Sequence, residues 1–164
     1  MSKLFIKSKP PPEEYTEEQL AEDYTMGTAD PPRYKGGQRL TIPNREVTKL
    51  AFLMFKHGSP SGDLFFRIWK YPTYAIIMSK LWGDASDLPT AKEWIEVEFD
   101  TPTLINEEVI IGWDFPNAQA GNGISFRITT YDAKADEVYA QDRGTGWSFY
   151  DSMDTTYRYK YFEA

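Results

Sequence analysis

Gly58-Ser59-Pro60-Ser61-Gly62-Asp63 divides two apolar runs, 47–55 (VTKLAFLMF) and 64–69 (LFFRIW). Glycine and proline force a tight reversal there, while the flanks are rich in the β-branched and aromatic residues that fit a pleated surface. The stretch reads as the turn of a long hairpin. In the first run Leu50, Phe52 and Met54 share one face and Ala51, Leu53 and Phe55 the other, which predicts a central strand covered on both sides. Further out, Ile95, Val97 and Phe99 alternate with Glu96 and Glu98, the pattern of a half-buried antiparallel strand. The same logic predicts strands near residues 74–80, 108–114, 124–132, 137–141 and 156–162. So many short strands, with no long helix between them, indicate an all-β, antiparallel two-sheet sandwich.

The first 36 residues read differently. Pro10-Pro11-Pro12 favours an extended linker. It is followed by Tyr15-Thr16-Glu17-Glu18-Gln19-Leu20, where Thr16 and Gln19 have capping-box spacing and Tyr15 and Leu20 that of a hydrophobic staple. Glu17 and Glu18 suit a first helical turn, and Gly27 a stop. The expectation is an N-terminal arm over residues 1–36 carrying a short helix, then a β domain over 37–164. The arm's apolar contacts would be Leu4, Phe5, Ile6, Tyr15 and Leu20. A helix that short needs a surface to pack on, and a partner or a second copy is the expected one, making a homo-oligomer.

A chain of 164 residues with 41% hydrophobic content supports one core. Its net charge of −7, without a basic stripe, argues against nucleic acid as a partner. Cysteine is absent, so neither disulfides nor thiolate metal sites are available. The apolar run Leu4-Phe5-Ile6 is too short for a secretory signal or a membrane span, so synthesis in the cytoplasm is expected.

The strand order resembles jelly-roll β-sandwich modules of phage and other viral structural proteins and of carbohydrate-binding accessory modules. The residues that carry the resemblance are the Gly58–Gly62 turn, the strand Trp94-Ile95-Glu96-Val97-Glu98-Phe99 with its Thr101-Pro102 exit, and Val109-Ile110-Ile111-Gly112-Trp113. The turn Gly144-Thr145-Gly146-Trp147 and the closing strand Tyr157-Arg158-Tyr159-Lys160-Tyr161 complete it. The resemblance implies a body that binds or builds rather than catalyses.

Enzymatic signals are sparse. His57 is the one histidine, beside a turn; no Gly-x-Ser-x-Gly elbow is present, and Glu93, Glu96 and Glu98 read as a solvated sheet face. Asp132, Asp136 and Asp142 are hard oxygen donors that could converge on a structural calcium, although they match no EF-hand spacing. Trp82, Trp147 and Tyr150 lie near predicted loops and are the candidate contacts for a glycan or a protein partner, since an aromatic ring offers rigid area to the apolar face of a sugar. The leading expectation is a non-enzymatic structural, decoration or adhesion protein of a virus particle. The alternative is a carbohydrate-binding module, and a small polysaccharide hydrolase comes third.

Overall fold

The computed structural model describes residues 9–29 and 32–164. Among the described residues eleven strands run β1 (Tyr15–Gln19), β2 (Tyr24–Gly27), β3 (Lys35–His57), β4 (Asp63–Lys70), β5 (Ile76–Asp84), β6 (Glu93–Asp114), β7 (Gly123–Thr129), β8 (Val138–Asp142), β9 (Trp147–Tyr150), β10 (Asp154–Thr155) and β11 (Tyr157–Glu163). Every pairing among the named strands is antiparallel, and the described residues include one 3-10 turn, Ala85–Asp87, and no α-helix. No helix of the described residues is long and apolar enough to cross a membrane.

The fold is organised by two long strands. β3 and β6 pair along most of their lengths, from Lys35 opposite Asp114 to Met54 opposite Glu93. The register shifts between Ile42 and Arg45 and again between Val47 and Lys49, where residues 99–102 of β6 loop out of the ladder. Such bulges bend strands. The continuous order β1-β11-β3-β6-β4-β5, with β7 and β8 also on β3, folds over as a result, an open antiparallel sheet compatible with a β-sandwich. Two ring contacts report the closure. Phe66 of β4 meets Phe52 of β3 edge-on at 5.3 Å, and Trp113 of β6 meets Phe126 of β7 at 4.9 Å, although each pair lies far apart along the sheet. The main core fills the fold between them, with Leu40, Ile42, Leu50, Phe52, Met54, Phe66, Val109, Ile111 and Trp113 all buried.

The run 47–55 is internal to the sheet, flanked by β11 and β6, as expected, but its two faces differ: Leu50, Phe52 and Met54 join the core, whereas Leu53 and Phe55 on the other face are half-buried. The turn beside it is not a hairpin. β6 lies between β3 and β4, so Gly58–Gly62 carries the chain across the fold instead of pairing its flanks. Glycine and proline dictate that a chain turns, not whether the strands on either side become neighbours. The crossing is held by the loop after β6: Ser59 N–H donates to Asn122 Oδ1 at 2.7 Å, and Asn117 Nδ2 donates to the Ser61 carbonyl at 2.6 Å. Gly58 has φ 67°, and a Cβ there would sit 2.2 Å from the Gly121 carbonyl oxygen, so glycine is required.

The helix expected after Pro12 is replaced by strand. Residues 15–19 form β1 on β11, and residues 24–27 form β2 on β7. The acidic residues that resembled a first helical turn each meet a cation, Glu17 with Arg45 at 3.2 Å and Lys134 at 2.5 Å and Glu18 with Arg158 at 2.8 Å, and Glu14 before them pairs with Lys49 at 3.7 Å. A lone helical turn is marginal in water, and a ready ladder with matched charges outweighs its propensity. Tyr15 stacks on Tyr161 at 5.8 Å, whereas Leu20 is exposed and joins neither apolar cluster of the described residues. Leu4, Phe5 and Ile6 lie outside the described residues. Gly36 and Gly37, where a domain boundary was expected, are inside β3.

Candidate functional site

The sheet carries a second apolar cluster on its outer face, separate from the main core. It is built on a cross-strand row: Ile76 of β5 opposite Trp69 of β4, Trp69 opposite Ile110 of β6, Ile110 opposite Arg39 of β3, and Arg39 opposite Val138 of β8. The adjacent row starts at Arg67 and is thin beyond it, with Gly112, Gly37 and Ala140 in register. Small residues leave room for rings above them. A Cβ on Gly112 would lie 3.1 Å from the Trp69 ring and 2.2 Å from the Gly36 carbonyl oxygen. Trp69, Ile110 and Ala140 are buried there beneath half-buried Trp147 and Phe149, which alternate onto this face of β9.

The rings connect into a platform. Trp147 packs edge-on against Trp69 at 5.0 Å and stacks on Tyr74 at 6.3 Å. Tyr74 meets Tyr71 at 6.2 Å, and Tyr71 meets Phe149 at 5.6 Å. The Arg39 guanidinium is held between Tyr71 and Phe149, 4.7 and 4.8 Å from their centroids, and its Nε lies 3.4 Å from Glu108 Oε1. Cation–π contact on two sides plus a carboxylate fixes a side chain that would otherwise be mobile. Tyr74 is 39% exposed and Ile76 53%, so the platform ends in solvent. Tyr74 also has φ 60°, in the left-handed region that a bulky residue rarely adopts, and its N–H donates to the Lys70 carbonyl at 2.7 Å.

Beyond Arg39 the platform opens into a groove of about 460 Å³ lined by Arg39, Thr41, Glu108, Asp132, Asp136, Glu137, Val138 and Asp151. Glu137 is fixed at its wall. Tyr157 Oη donates to Glu137 Oε2 at 2.7 Å, and Lys134 Nζ lies 3.3 Å from Glu137 Oε1. Burial pushes the Glu137 carboxyl above the usual glutamate range, against the hydrogen bonds from Tyr157 and Lys134. The Tyr157 phenol is driven far up by burial and by the Glu137 carboxylate, so it remains a donor. Together these groups offer ring faces, a guanidinium and acceptor oxygens to a polar ligand.

The structure separates the residues expected to act together. Trp147 is in the platform. Trp82, on β5, packs against the main core instead. Tyr150 alternates to the other face of β9, where its ring lies 5.6 Å from Tyr139 and its Oη accepts from Gln141 Nε2 at 2.9 Å. Asp132 and Asp136 line the groove, but Asp142 belongs to the β8–β9 turn. Its Oδ1 accepts from the N–H groups of Gly144 and Gly146 at 2.6 and 3.2 Å, and Oδ2 pairs with Lys35 at 3.5 Å. Among the described residues no three His, Cys, Asp or Glu side chains are grouped to hold a metal ion. His57 is exposed at the end of β3. The sequence reading missed Arg39, Tyr71, Tyr74 and Phe149. The aromatic turn Tyr71-Pro72-Thr73-Tyr74 was the available signal, because two tyrosines flanking a proline between strands have no core to fill.

Comparison with protein-family models, with curated proteins and with solved structures finds no match for this chain. The resemblance to viral and carbohydrate-binding modules therefore rests on strand order, of which the all-β antiparallel architecture is the part found.

Proposed function

We propose that this chain is a jelly-roll-like recognition module, without catalysis of its own, that binds a glycan on the outer face of its sheet. The observation that carries the reading is the placement of Arg39, clamped between Tyr71 and Phe149 at the point where the ring platform meets the groove. Sugars present apolar ring faces and hydroxyl edges at once. A ring platform continuous with a fixed guanidinium and carboxylates matches both, and preorganisation lowers the entropy lost on binding. The test is a glycan array followed by calorimetry on the best binder, comparing wild type with Arg39→Met. Binding that falls about tenfold in the variant, a loss of roughly 1.4 kcal/mol, supports the reading. Equal binding by both proteins, or no binding by either, removes it.

A second reading makes the chain a structural or decoration component of a virus particle, with this face covered by a neighbouring subunit. It is favoured by exposed Ile76 and Leu81 on β5, which is an edge strand among the described residues. In that case the purified protein self-associates, and Ile76→Asp returns it to monomer in sedimentation velocity. A monomer at all concentrations argues against contact between copies.

A further inference from the structure

The extent of the platform suggests which part of a glycan it takes, an inference that rests on the glycan-binding reading above. The row Ile76, Trp69, Ile110, Arg39, Val138 crosses five strands. The strands beneath span roughly 19 Å at about 4.8 Å each, while on the surface the Tyr74 ring lies 6.2 Å from Tyr71 and Tyr71 4.7 Å from the Arg39 guanidinium, so the track to the groove is longer than one sugar ring. Above that row the ring contacts run without a break from Trp147 through Tyr74 and Tyr71 to Arg39, and the groove continues from Arg39 to Asp151. Among the described residues neither end is closed: Ile76 and Tyr74 stand in solvent on one side, and Asp132, Asp136 and Asp151 are exposed on the other. A site for a chain end would need a wall, and a site for a single sugar would be a cup.

We infer that the ligand is an internal stretch of a linear polysaccharide laid across the strands, with the exposed Tyr74 under one sugar and the groove beside Arg39 holding another. Left-handed Tyr74 is then the residue whose unusual backbone points to use, since a side chain serving only the turn would be asparagine or glycine.

The experiment is calorimetric titration of the full chain with neutral linear oligosaccharides of one to six units, in the cello-, xylo-, manno- and chito-series. Affinity for the bound series should rise with each added unit and exceed that of the disaccharide by about tenfold at the hexasaccharide. Tyr74→Asn, which keeps the left-handed backbone accessible, and Asp151→Asn, at the opposite end, should each flatten that rise, with unchanged thermal melts showing that both variants are folded. A disaccharide bound as tightly as the hexasaccharide, or a length dependence untouched by both variants, overturns the inference while leaving glycan binding intact. No binding by any series overturns both.

Discussion

Phe52 and Phe66 offer the sharpest test of the folded-over sheet. Both are fully buried, and their rings meet edge-on at 5.3 Å although β6 lies between their strands in the sheet order. Truncating either to alanine should cost about 3–5 kcal/mol, a large share of the roughly 5–15 kcal/mol that holds a domain together. Leucine refills part of the volume and costs less, so a double-mutant cycle of Phe52→Leu and Phe66→Leu is measurable. An edge-to-face pair contributes about 0.5–1.5 kcal/mol beyond its buried area, and the cycle should return a coupling of that size. Urea unfolding of the four proteins, with slopes of about 1–3 kcal/mol/M, gives the energies. Additivity to within about 0.3 kcal/mol would mean that the rings do not touch and that the two halves of the sheet do not close on one core.

Deletion of residues 1–29 should lower the melting temperature and speed amide exchange in β7 and β11, because it removes both strands that cover them; an unchanged melt would show those strands to be dispensable. Glu137→Gln keeps an acceptor for Tyr157 while removing a buried charge. Because the folded carboxyl titrates above its unfolded value, wild-type stability contributed by this group is present below about pH 4.3, the ordinary glutamate value, and is lost as pH rises through the elevated one. The variant's melting temperature should therefore gain on wild type between pH 4.5 and neutrality, and a difference constant with pH would show that Glu137 is not buried as charge. Calcium and chelator should leave the melting midpoint where it is, since Asp142 is engaged by its own turn; a fall on chelation, reversed by calcium, would place an ion among the aspartates.

Strand identity was legible wherever one face met the core. The alternation in 93–99 appears as a strand because burial of one face imposes a period of two, and the double-faced run 47–55 appears as one through its aromatic and branched residues and the turn that bounds it. Pairing was less legible. Residues 93–99 and 108–114 read as separate strands, yet both belong to β6, whose looped-out residues 99–102 look in sequence like an ordinary turn. At the N-terminus a local capping pattern competed with ion pairs to Arg45, Lys134 and Arg158, none of them visible from residues 15–19 alone. The platform was harder still. Trp147 could be picked out by its Gly-rich turn, but Arg39 acquires its role from Tyr71 and Phe149, 32 and 110 positions further along the chain. Trp82 has the same glycine neighbour as Trp147 and packs on the core.

That last contrast gives the most direct measurement of the central claim. The chain has five tryptophans, and each indole N–H gives one resolved signal in a nitrogen-edited NMR spectrum. Titration with the best glycan from the array should move the Trp147 indole signal and the backbone signals of Arg39, Tyr71 and Tyr74 along one binding curve, while the Trp82 signal stays fixed. A binding curve that moves Trp82 and leaves Trp147 and Arg39 in place would locate recognition elsewhere and contradict the account.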